Sequence, residues 1–243
     1  RVPEFGEDMY LVMVTKNGVI KRTELNAYDT ARKGGVIAIA LDDGDELIWV
    51  RLTDGCAQLL IATKFGMAIR FAEGDVRATG RTARGVKAIT LRGGDCVVGM
   101  STLRENAFVL TVSETGFGRL SPISDYRLQS RGGKGLINYH VEQYGNVAAI
   151  KVVDIDDDII MISSNGIIIR FQANTVRICA RPSKGVLLMR LADDSKVVTV
   201  ARTAHEDEED ANDAFDDEEG PGALDDAQAE DGTGGDAGED AED

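Results

Sequence analysis

The apolar positions of this chain fall in short runs that return in the same order four times. Each unit opens with an apolar run, a polar pair, a glycine and a second apolar run: Tyr10–Arg22, Gln58–Arg70, Phe108–Arg119 and Ile159–Arg170. The turn glycines are Gly18, Gly66, Gly116 and Gly166, spaced by 48, 50 and 50 residues. The runs are too short and too continuously apolar for amphipathic helices, so they predict strands buried on both faces. Asn17–Gly18 and Asn165–Gly166 are the strongest hairpin signals.

A second half follows in each unit. Val36–Leu41, Val86–Leu91, Leu136–Val141 and Val186–Leu191 read as a third strand. A polar turn comes next (Asp42–Asp45, Arg92–Asp95, Ala192–Ser195), replaced in the third unit by Glu142–Gly145. The fourth runs are Leu47–Val50, Cys96–Met100, Val147–Ile150 and Val197–Val200. A period of about 50 residues carrying four strands predicts propeller-like blades. The expected fold is all-β, with four four-stranded blades over roughly 1–53, 54–103, 104–154 and 155–204.

Charge divides the chain. From His205 to Asp243 there is no Lys or Arg, and this segment holds 19 of the 42 acidic residues. Its composition cannot bury enough apolar surface to offset chain entropy, which predicts a disordered acidic tail over 205–243. The body keeps all 27 Lys and Arg against the remaining 23 acids, so the net charge of −15 hides a mildly basic β-domain.

Candidate chemistry narrows quickly. His140 and His205 stand without a nucleophile or ligand constellation. The acidic turns at Asp42–Asp45 and Asp154–Asp158 lack the ligand spacing of a calcium loop. Cys56, Cys96 and Cys179 are odd in number and far apart, which fits reduced thiols in a cytoplasmic protein. No run is long enough to span a membrane. The chain starts with Arg1 rather than Met and opens almost at once into a strand, the pattern expected of a piece of a longer protein.

What recurs is a basic, glycine-containing turn in each unit, closing on Gly35, Gly85, Gly135 and Gly185, spaced by 50. These turns carry Arg32 and Lys33, Arg81 and Arg84, Arg131 and Lys134, and Arg181 and Lys184. Each hairpin ends on a base (Lys21–Arg22, Arg70, Arg119, Arg170), and Arg77, Arg127 and Arg177 lie between. Repetition should align these charges along one rim. Accessible backbone N–H groups beside Arg and Lys suit the phosphates of an extended polyanion. Nucleic acid is the expected partner.

At Gln129–Gly135 the sequence resembles the box of the DNA gyrase A-subunit family, Gln-(basic)-Arg-Gly-Gly-(basic)-Gly. Gln129, Arg131, Gly132, Gly133, Lys134 and Gly135 fit; Ser130 stands at the other basic position. The 50-residue repeats and the acidic tail resemble the C-terminal domain of that family as well. The resemblance implies a β-pinwheel exchanging strands between neighbouring blades, with a basic perimeter that bends and wraps duplex DNA. It implies a place in an A2B2 heterotetramer, beside the rest of the gyrase A polypeptide and the gyrase B polypeptide, introducing negative supercoils in the bacterial cytoplasm. ATP, Mg and the cleaving tyrosine would belong to other parts of that enzyme, leaving no cofactor, metal or catalytic residue here. Family boxes sit in the first blade, whereas this one is in the third unit, as expected if the chain begins within the domain. Tyr126 and Tyr139, flanking the box, read as core or strand-surface residues. Two alternatives fit the same residues: the corresponding domain of topoisomerase IV, and an interaction propeller whose rim charges only solubilise. By charge, the tail could occupy the basic rim and tune wrapping.

Overall fold

A computed structural model describes residues 8–30 and 34–205. The first unit supplies β1 (Tyr10–Thr15), β2 (Val19–Glu24) and β3 (Leu47–Thr53); the second β4 (Gln58–Thr63), β5 (Met67–Ala72), β6 (Val86–Lys87) and β7 (Val97–Thr102). The third gives β8 (Phe108–Ser113), β9 (Phe117–Pro122), β10 (Leu136–Ile137), the four-residue helix α1 (Val141–Tyr144) and β11 (Val147–Val153). The last gives β12 (Asp158–Ser163), β13 (Ile168–Gln172), β14 (Val186–Leu187) and β15 (Val197–Thr203). The chain is all-β and blade-like, as its pattern predicts.

The blades are not built from one unit each. Sheet orders are β3-β1-β2-β6, β10-β5-β4-β7, β11-β8-β9-β14 and β13-β12-β15. The third strand of each unit therefore completes the blade of the unit before it: Val86 pairs with Ile20, Leu136 with Ala68 and Val186 with Gly118. This is the exchange between neighbouring blades that the family resemblance implies; what differs is length, since the exchanged strands are two residues long rather than six. Val36–Leu41 has no partner strand among the described residues and forms no strand, and Ile37 is 68% exposed. At the other end β13 has no outer partner among the described residues, and Ile168 is 63% exposed.

The core lies between blades, which is why the strand sequences do not alternate. On β4, Leu59 and Ile61 pack with Val12, Val14 and Ile20 of the first blade, while Leu60 and Ala62 pack with Val109, Val147 and Ile150 of the third. Leu110, Val112 and Leu120 meet Ile159 and Met161 in the next layer. Fully burying each such side chain contributes about 1.5–3 kcal/mol. The fourth strands β3, β7, β11 and β15 pack against one another and form the hub. The exchanged strands therefore lie at the outer edge. A bulge recurs where the first hairpin strand meets the hub strand, at Val14/Thr15, Ala62/Thr63, Val147/Ala149 and Ile162/Ser163, adding local twist.

The acidic turns have a structural use. Asp45 Oδ1 accepts the Asn17 and Glu46 N–H groups at 2.9 and 2.8 Å, and Asp95 Oδ1 accepts those of Phe65 and Cys96 at 2.8 and 2.9 Å. Each carboxylate ties a hub-strand turn to a hairpin tip. Tyr126 and Tyr139 are core residues, 0% and 2% exposed.

Candidate nucleic-acid interface

The three fully described basic turns are each carried across a gap between blades. After its hairpin, the second unit runs to Ala78, which bridges in parallel to Arg22 of the first blade; Leu128 and Ile178 repeat this at Arg70 and Leu120. The Thr79, Gln129 and Cys179 N–H groups donate to the carbonyls of Arg22, Arg70 and Leu120 at 2.9, 2.8 and 2.8 Å. The chain then turns through the glycine-containing loop and pairs as the exchanged strand. The loops therefore occupy equivalent places on the outer edge.

Glycine closes the loop for a steric reason. Gly135 has φ +76°, and a Cβ there would sit 2.4 Å from the Ala68 carbonyl oxygen; at Gly185 the corresponding distance to Gly118 is 2.0 Å. Only a residue without a side chain lets the exchanged strand approach. Within the box, Gly132 N–H donates to Ala88 O at 2.6 Å, and Gly132 O accepts the Thr90 hydroxyl at 2.7 Å. The box is thus bonded to the segment that follows β6 in the preceding unit.

The predicted basic residues separate into three groups. Arg77, Arg127 and Arg177 are exposed at intervals of 50, and Arg84 and Lys134 are exposed in the turns. Arg84 is 2.7 Å from Asp42, a solvent-exposed pair worth little in water. Lys184 is half-buried, its ammonium 3.7 Å from the centroid of the Phe117 ring.

The second group holds blades together. Arg131 Nε and NH1 donate to the carbonyls of Asp75 and Lys87 at 2.9 and 3.1 Å. Arg181 repeats this on Asp125 and Ile137, both at 2.8 Å. Arg70 donates to Gln58 Oε1 at 2.8 Å and to the carbonyls of Ile123 and Tyr126 at 3.1 and 2.9 Å. Arg81 lends its carbonyl to the Lys21 ammonium, whereas Arg170 is paired with Asp158 within its own blade. His205 also bonds Asp158, and with Arg170 it holds that carboxyl below the usual range.

The third group is a correction. Arg119 is 0% exposed. It aligns with Lys21, Ile69 and Ile169, one residue before Arg22, Arg70 and Arg170, so strand alternation turns it inward. Its NH2 donates to Asn138 Oδ1 at 3.2 Å and its guanidinium lies 5.6 Å from the Tyr139 ring centroid. Burial lowers its pKa, and it cannot reach a ligand on the rim. Arg32 and Lys33 lie outside the described residues, as does the segment from Glu206 onward. Sequence reasoning missed Lys87, exposed on β6 beside the box. Its place at the polar end of an exchanged strand was visible only once the exchange was known.

Strand exchange between successive blades, an inter-blade core and a glycine-closed basic outer edge define a pinwheel-type propeller. The profile of the family described as DNA gyrase C-terminal domain, beta-propeller matches residues 10–54, 57–104, 107–154 and 157–204, and the chain belongs to that family. It is 43% identical over 210 residues to the DNA gyrase A polypeptide of Staphylococcus aureus, covering 85% of this chain and 24% of the relative. The chain thus spans about a quarter of the length of the curated relatives it matches. A solved DNA gyrase A C-terminal domain superimposes with TM-score 0.75 at 29% identity, over 83% of this chain and 68% of the other. The C-terminal domain of a DNA topoisomerase IV gives TM-score 0.81 at 24% identity over 88% and 67%, a likeness of fold.

Proposed function

We propose that the outer edge binds duplex DNA through its phosphates and bends the duplex around the blades. The observation that carries this reading is the set of exposed cations repeated at one place in three of the four units, Arg77, Arg127 and Arg177, with Arg84, Lys87 and Lys134. Among the described residues the only α-helix has four residues, so no recognition helix enters a groove. Contacts of this kind position DNA without reading bases. Cations along one curved edge neutralise one side of the duplex, and that contact energy offsets a bending cost of about 1–6 kcal/mol per 20–30 base pairs.

In the longer protein, this region acts as the wrapping domain of gyrase A. It works with gyrase B in an A2B2 heterotetramer in the bacterial cytoplasm and gives ATP-driven strand passage its negative sign. DNA cleavage, Mg and ATP belong to other parts of that heterotetramer. The box at Gln129–Gly135 favours gyrase over topoisomerase IV, and supercoiling against decatenation by the assembled enzyme separates the two.

The direct test is ligation of nicked circular DNA in the presence of the chain. Wild type shifts the linking number in proportion to protein added; Arg84→Ala with Lys134→Ala reduces the shift while leaving the unfolding midpoint unchanged. An unmoved linking number with the wild-type chain overturns wrapping.

A further inference from the structure

The hub holds a second concentration of positive charge, remote in sequence from the rim turns. Arg51 of β3, Lys151 of β11, Arg202 of β15 and Arg104 converge on one cavity of about 320 Å³, with Ser101 and Thr102 of β7 on its wall. Two of the cations are answered: Arg104 lies 2.9 Å from Asp154 and Arg202 lies 3.0 Å from Asp157. Arg51 and Lys151 have no carboxylate within ion-pair distance among the described residues. Both instead lean on one ring: the Lys151 ammonium is 4.6 Å and the Arg51 guanidinium 5.0 Å from the Trp49 centroid.

Gathering these cations is costly. Desolvation, then repulsion from Arg51 and Arg202, lowers the Lys151 pKa; desolvation lowers that of Arg51. A cation–π contact with a single ring shared by both cations offsets that desolvation only in part. A fold needing only packing here could place Ser or Ala at both positions, as it does at the equivalent Ser101 and Ala201. Two cations without a carboxylate partner (Arg51 donates only to the Val50 carbonyl, at 2.8 Å), two hydroxyl donors and room for several water-sized groups match an anion of two or more charges with many acceptor oxygens.

We propose that the hub cavity is a binding site for a small, multiply charged phosphate anion, held chiefly by Arg51 and Lys151 and flanked by Arg202 and Arg104. Its contact residues are not those of the rim, so the site stands or falls independently of DNA wrapping.

Trp49 is the chain's sole tryptophan and so reports on this cavity. The test is a titration of the full chain with inorganic pyrophosphate, following Trp49 emission, with ionic strength held constant by exchange against NaCl. The expected result is a saturable change whose midpoint is at least about tenfold weaker in Lys151→Met, the loss of one charge-assisted bond. Met keeps the stem against Trp49. Lys134→Ala on the rim leaves the midpoint unchanged. A response that tracks ionic strength alone, or equal midpoints in wild type and Lys151→Met, overturns the site. So does a midpoint that moves with Lys134→Ala. If circular dichroism finds Lys151→Met unfolded, Arg51→Gln replaces it with the same expected weakening and the same overturning result.

Discussion

At the scale of single residues, the repeat tells side chains apart that composition treats alike. Arg119 and Arg127 are eight positions apart, yet one is sealed in the core and the other is on the surface. Replacing Arg119 with Met, which removes a buried charge lacking a carboxylate partner, leaves DNA affinity unchanged in a binding titration; Lys134→Ala weakens it. Lys21 occupies the same inward position in the first blade, 1% exposed, with its ammonium donating to the carbonyls of Ala38 and Arg81. Burial, then Arg81, lowers its pKa to about 8. Between that value and the unfolded one of about 10.4, the unfolded chain holds a proton the folded chain lacks, so folding gains as pH rises. Relative to Lys21→Met, wild type gains unfolding temperature across that window. A difference that stays flat or shrinks contradicts the assignment. Asp158 has the opposite sign: its pKa is lowered, so its stabilising effect is present above the ordinary carboxylate range and is lost as pH falls through the folded value. Asp158→Asn therefore lowers the unfolding temperature at pH values of about 7 and loses that penalty in strong acid.

At the scale of elements, the hairpins were legible because their signal is local: two apolar runs and a glycine in the left-handed region, φ +80° at Gly18 and +84° at Gly116. The exchanged strands were only half legible. Val86–Leu91 reads as a full strand because its apolar residues are contiguous, but Ala88 and Ile89 leave the ladder to enter the inter-blade core. Which blade a strand joins is a property of tertiary pairing, and no local pattern encodes it. The glycine requirement is testable: Gly135→Ala should cost at least about 2 kcal/mol through strain and backbone clash. Gly133→Ala, where the nearest neighbour of the added methyl would be 3.7 Å away, should be nearly silent. Thermal unfolding of the pair separates them. Amide exchange offers a second check. The edge strand Ile168–Gln172 should exchange faster than Met67–Ala72, whose outer side is covered by Leu136–Ile137.

At the scale of the molecule, repetition converts weak local signals into a surface. One basic turn is an ordinary solvated loop; equivalent turns on one edge form the basic track that we propose for phosphates. The sequence located the basic edge but overstated how many of its arginines face solvent, as the buried Arg119 shows. Arg131, Arg181 and Arg70 commit hydrogen-bond donors to carbonyls of adjoining segments, so they set the rim's geometry as much as they present charge. Whether the exposed cations of the rim carry DNA is decided most directly by duplex affinity across a salt series, for wild type, Lys134→Ala and Arg119→Met. A rim that neutralises phosphates gives a steep fall of affinity with salt, with a log–log slope of about −0.9 for each phosphate contacted. Lys134→Ala then makes that slope shallower by about one, while Arg119→Met leaves it unchanged. A shallow slope in wild type, or an equal effect of the buried and exposed substitutions, would contradict a phosphate-binding rim.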